Sequence, residues 1–250
     1  MGGSFGSGQD VRRGTNIPSI TSFSIAWWYK YTNASSYEVC FSYDNAQASM
    51  GDWMQFGQDS GGIYYSSDSV GGLALTGGAS TNWRFFCFVR NGSTTNATTI
   101  YNAIQGNVLN VQTQSNDVAA MTSPSVYIST SGFGEQAVGL AAEVWLFDRP
   151  LTAQEATHLY QYGVPANYAG VNSYLPMSGI PLGRSVYGLG GNWTVTGSPT
   201  VIASAPQRAP AGYGLGLNNI AAAAASQAAA ASDGGMSTSD RLRRNALLRM

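Results

Sequence analysis

The segment Trp83–Arg90, WRFFCFVR, carries bulky apolar side chains on both faces of any extended chain it forms. With a period of two, Trp83, Phe85, Cys87 and Val89 point one way, and Arg84, Phe86, Phe88 and Arg90 the other. A strand of this kind needs cover on both sides, which places it centrally in a layered β fold. Asn91-Gly92 follows at once, a strong hairpin signal, and predicts a return strand over Thr98 to Ile104. Phe23 to Tyr31 (FSIAWWYKY), Tyr37 to Tyr43 (YEVCFSY) and Ala141 to Phe147 (AAEVWLF) predict further strands. Shorter ones are expected at Tyr174-Leu175, Trp193 to Thr196 and Thr200 to Ala203.

One helix interrupts this pattern. Thr152-Ala-Gln-Glu155 has the form of a capping box, with Leu151 placed as a hydrophobic staple. Gly163 is positioned to end the helix, and Pro165 prevents its continuation. The organisation expected is therefore a flexible Gly/Ser-rich arm (1–16), a β sandwich (17–205) and a C-terminal segment (206–250). That last segment opens with a Pro/Gly linker, continues with IAAAAASQAAAA (Ile220 to Ala231), and ends with SDRLRRNALLRM (Ser239 to Met250). Both of its later stretches read as helices, the second basic and amphipathic.

Three stretches carry a resemblance. Phe23 to Tyr31 looks like an opening strand of the form F-[ST]-[IV]-x-[AF]-W-[VF]. Trp83 to Ile104 looks like a W-x-x-[VF]-[AC]-[FV]-V-x-x-G hairpin. Ala141 to Gly163 has Glu143, Arg149, Leu151, Glu155 and Leu159 in register with the strand-to-helix ending of the same family. Together they resemble the concanavalin A-like, laminin-G-like jelly roll. The resemblance covers about three quarters of the chain and implies a two-sheet antiparallel sandwich. It implies little about function, because the fold hosts lectins, hydrolases, adhesion modules and scaffolds. Arg149, at the Asp148-Arg149-Pro150-Leu151 corner, reads as structural.

Catalytic patterns are missing. Hydrolases of this fold carry E-x-D-x-x-E on one strand, and that pattern does not occur here. Glu143 and Asp148 lie five apart, so a regular strand puts them on opposite faces. His158 is the single histidine and reads as a helix-surface residue. There is no G-x-S-x-G elbow. The glycine pairs at 61–62, 71–72, 77–78 and 190–191 read as tight turns rather than phosphate loops, since none precedes G-K-S/T. Cys40 and Cys87 sit in apolar runs and read as buried free thiols, with a disulfide as the alternative. Asp44, Asn45, Asp52, Asp59 and Asp68 could supply oxygen to calcium, a frequent ion in lectin members of the family. The family's D-x-S-G-N-G loop, however, is replaced by GRSVYG (Gly183 to Gly188), which has no aspartate. No metal and no other cofactor is expected.

Charge sharpens the functional reading. Charged residues make up 10% of the chain, against about 25% in an ordinary soluble domain. Twelve basic and 13 acidic side chains give a net charge of −1, so no nucleic-acid partner is expected. No apolar run is long enough to span a membrane, and the N-terminus lacks the apolar core of an export signal. From Asp240 onward there are four arginines and one aspartate, which leaves eight basic and 12 acidic residues in the rest. A basic amphipathic tail on an acidic body reads as an assembly anchor, with Arg241, Leu242, Arg243, Arg244, Ala246, Leu247 and Arg249 as the contact residues. The expectation is a non-enzymatic subunit of a phage or phage-like virion. It would be made in the cytoplasm, be homo-oligomeric, and be displayed on the virion surface, joined to other virion proteins through both terminal arms. A carbohydrate-binding adhesin that touches host glycans is the alternative, and a glycoside hydrolase is the third reading, which the missing carboxylate pattern disfavours. Trp53, Tyr64 and Tyr65 are its candidate stacking residues.

Overall fold

The computed structural model describes residues 2–14, 17–18, 21–34, 37–45, 53–67, 70–92, 98–114, 124–131, 135–177, 193–202 and 206. The chain divides into two compact units, Met1–Tyr213 and Gly214–Met250, and all the described residues belong to the first. The Ala-rich stretch and the basic tail, including Arg241, Leu242, Arg243, Arg244, Ala246, Leu247 and Arg249, lie outside the described residues.

In chain order the strands are β1 (Gly2–Phe5), β2 (Asp10–Arg13), β3 (Ser22–Tyr31), β4 (Glu38–Asn45), β5 (Trp53–Asp59), β6 (Gly62–Ser67), β7 (Val70–Leu75) and β8 (Arg84–Asn91). They continue with β9 (Thr98–Ile104), β10 (Asn110–Gln114), β11 (Pro124–Ile128) and β12 (Gly139–Phe147). Helix α1 (Ala153–Tyr162) then precedes β13 (Val171–Leu175), β14 (Thr194–Thr196) and β15 (Thr200–Ile202). One sheet runs β10-β9-β8-β3-β12-β1-β15, with β13 also paired to β12. The other runs β14-β2-β11-β4-β5-β6-β7. The pairing is antiparallel, and the architecture is the two-sheet sandwich expected from the sequence.

The core lies between the sheets. Trp27 on β3 stacks on Phe86 of its own sheet, with centroids 5.0 Å apart. Across the gap it meets Phe41 at 4.7 Å and Phe56 edge-on at 5.3 Å. The alternation read in Trp83–Arg90 holds, since Phe86 and Phe88 are core residues. Arg84 is buried among them at one end of β8, where its guanidinium donates to the carbonyls of Gly77 and Gly78 and to Asn102. A side chain at Gly77 would meet that guanidinium, and Gly77 also has φ +113°, so both space and backbone require glycine there.

Helix α1 buries Ala156 and Leu159, and Tyr160 stacks over Trp28 and Phe85 of the first sheet. Its ends follow the sequence reading. Thr152 and Glu155 form the capping box, and Gly163 terminates the helix with φ +68°. Arg149 grips Glu155 through two bonds, at 2.6 and 3.0 Å, and pushes the Glu155 carboxyl down to about 2. Cys40 and Cys87 are free and buried.

The reading of residues 1–16 as a flexible arm is corrected. β1 pairs with β12 and β15, and β2 pairs with β11 and β14. Glycine and serine weaken strand signals, but pairing uses the backbone, and Phe5 and Val11 anchor the two segments in the core. Likewise Gly71-Gly72 lies within β7 rather than in a turn. Among the described residues no helix is long and apolar enough to cross a membrane.

Candidate functional site

The β5–β6 hairpin builds a groove on the outer face of the second sheet. Its tip is tightened by Asp59, whose Oδ1 accepts from the backbone N–H groups of Gly61 and Gly62 at 2.7 and 3.1 Å. Along β6 the side chains alternate. Ile63 and Tyr65 enter the core, while Tyr64 and Ser66 face outward. In register Tyr64 stands opposite Gly57, and its ring lies across that residue. A Cβ on Gly57 would collide with the Tyr64 hydroxyl and the Glu38 carbonyl. Gly57 is thus required because the ring lies flat on the sheet.

Tyr37, just before β4, completes the wall. Its ring stacks on Tyr64 with centroids 5.3 Å apart and planes 12° from parallel, and it is 51% exposed. Gln55 on β5 donates to the Tyr37 hydroxyl at 2.9 Å. Burial, reinforced by the nearby Glu135 carboxylate, raises the Tyr37 pKa. Burial raises the Tyr64 pKa as well, so both phenols stay protonated and can donate. Glu135 is held by Ser131, whose hydroxyl donates to it at 2.9 Å. The resulting groove has a volume of about 430 Å³ and is lined by Tyr37, Asp59, Tyr64, Ser66, Ala74 and neighbouring backbone. It offers an aromatic face flanked by hydroxyl, amide and carboxylate groups.

Of the three expected stacking residues, only Tyr64 lines this groove. Tyr65 is fully buried in the core, since neighbours on a strand face opposite ways, and that assignment is corrected. Trp53 opens β5 opposite Asp44, and its side chain lies outside the described residues. Tyr37, Gln55 and Glu135 were missed, and Asp59 was read only as a possible calcium ligand. The Asp-Ser-Gly-Gly turn at 59–62 marked a hairpin tip, but Tyr37 and Tyr64 meet only through the β4–β5–β6 pairing.

The other candidates take structural places. Glu143 sits at a break in the β3–β12 register with φ +53°. Asp148 accepts from Asn172 at 2.8 Å, and Asn172 accepts from the buried Arg13 at 2.6 Å. His158, on α1, has its Nδ1 2.8 Å from the Val164 carbonyl just past the helix end, and its ring packs on Tyr162. Among the described residues no three His, Cys, Asp or Glu side chains group as metal ligands. Asp52, Asp68 and the 183–188 loop lie outside the described residues, as does the Asn45 side chain.

The sequence matches no protein-family model and no curated protein. Solved structures share the fold. A putative carbohydrate binding protein from Bacteroides ovatus superposes with a TM-score of 0.55 at 12% identity, covering 81% of this chain and 60% of that one. Tailspike protein 2 of an Escherichia coli O157:H7 bacteriophage superposes with a TM-score of 0.50 at 11% identity, covering 67% of this chain and 25% of that one. The CBM40 of Ruminococcus gnavus IT-sialidase, bound to α2,3-sialyllactose, gives 0.48 at 10% identity, covering 64% and 95%. At these identities the likeness establishes the jelly-roll fold alone.

Proposed function

We propose that the chain is a non-catalytic, saccharide-binding jelly-roll subunit of a phage or phage-like virion, of the decoration, spike or fibre type. The observation that carries the saccharide reading is the Tyr37–Tyr64 stack walling a polar groove on the second sheet. Sugars present apolar C–H faces and hydroxyl rims, and an aromatic plane beside hydroxyl, amide and carboxylate groups complements both. Among the described residues that line it there is no histidine, cysteine or lysine. The virion placement is supported by a basic tail that follows an acidic body, and by the tailspike with the same fold. In this reading the tail docks on another virion protein, subunits associate with their own copies, and the groove faces a host glycan.

The test is a saccharide array probed with the full chain and with Tyr37→Ala. Binding by the parent, weakened about tenfold or more in the variant, is expected. A parent that binds no saccharide overturns the saccharide role. Mass spectrometry of purified particles tests the virion placement, and absence of the chain from them overturns it.

A further inference from the structure

We propose that the groove accepts uncharged saccharides and rejects those carrying a carboxylate; this rests on the saccharide-binding reading. Asp59 lines the groove, and Glu135 lies beside Tyr37, which also lines it. No described basic side chain lines it. Arg84 is turned into the sandwich, 1% exposed, and committed to the Gly77 and Gly78 carbonyls and Asn102. Arg12 and Arg13 lie on β2, separated from β5 by β11 and β4. Arg149 is bound to Glu155, while Lys30 and Arg90 belong to the other sheet.

An acidic sugar is normally held by a guanidinium fork or an ammonium group. Here it would meet the Asp59 carboxylate in the lining, with Glu135 close by at Tyr37, and like charges brought together across a contact weaken binding. A neutral sugar meets complementary groups. Its hydroxyls donate to carboxylate oxygens, which form strong charge-assisted bonds.

The experiment compares each hexose with its own uronate in the same oligosaccharide linkage, glucose against glucuronate and galactose against galacturonate. The pairs differ only in a CH₂OH or a carboxylate. Binding is measured by calorimetry on the full chain and on Asp59→Asn/Glu135→Gln. Those substitutions keep the acceptor atoms that hold Gly61, Gly62 and Ser131. The parent is expected to bind the neutral member about tenfold or more tightly than the uronate, and the double variant to narrow that gap to about threefold. Equal or tighter binding of the uronate overturns the proposal and leaves the saccharide role standing. A gap unchanged in the double variant overturns the assignment to these carboxylates. Binding of neither member of any pair removes the saccharide reading itself.

Discussion

The Tyr64 ring lies across the backbone of Gly57, so closely that any side chain at position 57 would occupy the place of its hydroxyl. The stack with Tyr37 therefore depends on a glycine one strand away. Gly57→Ala is expected to lift Tyr64 off the sheet and to abolish saccharide binding. Tyr37→Ala should weaken binding while shifting Tm by only a few degrees, because Tyr37 is half exposed. Calorimetry and thermal melts on both variants check this. A Gly57→Ala protein with full affinity would show that the stack is not what binds.

Glu38 gives stability a dependence on pH. It is 6% exposed, and burial pushes its carboxyl up to about 7, only partly offset by a bond from the Val138 backbone. A folded value above the unfolded one of about 4.3 means that its contribution is full below pH 4 and is lost as pH rises through 7. Denaturant unfolding is expected to show a loss on the order of 2 kcal/mol between pH 5 and pH 8. Glu38→Gln should remove most of that slope. A slope that persists in the variant assigns the effect to another group.

The Arg149–Glu155 pair works in the opposite direction. The Arg149 bonds hold the Glu155 carboxyl well below its usual range, so its contribution is present above about pH 4 and fades as pH falls toward 2. Glu155→Gln is expected to cost about 1 kcal/mol at pH 7 and almost nothing at pH 2, read from urea midpoints. Equal loss at both pH values would mean that the cap, not the ion pair, supplies the stability.

Neither thiol should react in the native state. Burial pushes Cys40 up to about 12 and raises Cys87 further. Thiolate is therefore scarce and shielded at neutral pH. Labelling with a thiol-specific chromogenic disulfide should be slow in buffer and complete in denaturant. Rapid labelling of either cysteine in buffer would contradict its buried position.

Removing residues 1–14 should unfold the sandwich rather than trim it. The deletion strips a strand from each sheet and removes Phe5 and Val11 from the core. Circular dichroism of the truncated chain is expected to lose the cooperative β transition. A truncated chain that melts like the parent would restore the flexible-arm reading.

The parts of the fold that could be read from the sequence are those where residue chemistry dictates geometry. The strands apolar on both faces, β3, β8 and β12, announce themselves, as does the Thr152–Glu155 cap. Strands β1 (GGSF), β2 (DVRR) and β10 (NVQTQ) carry one large apolar residue each, and β7 (VGGLAL) is interrupted by a glycine pair, so their pairing comes from neighbouring backbones rather than from side-chain pattern. The groove was half visible. Tyr64 stood out beside a glycine turn, yet period-two alternation already argued against taking Tyr65 with it. Tyr37 and Glu135 reach Tyr64 only through tertiary pairing, and no local signal reports that.

The strand order also ties the start of the chain to its later part. β1 lies between β12 and β15, and β2 between β11 and β14. During synthesis β2 meets its first neighbour only when β11 ends at Ile128 and β1 only when β12 ends at Phe147, and their second neighbours end at Thr196 and Ile202. Folding of this sandwich is thus governed by distant contacts and is complete only once its last strand has been made. A chain stalled before Thr194 would expose two unpaired edges. The cell would meet it as an aggregation hazard rather than as a partly active protein.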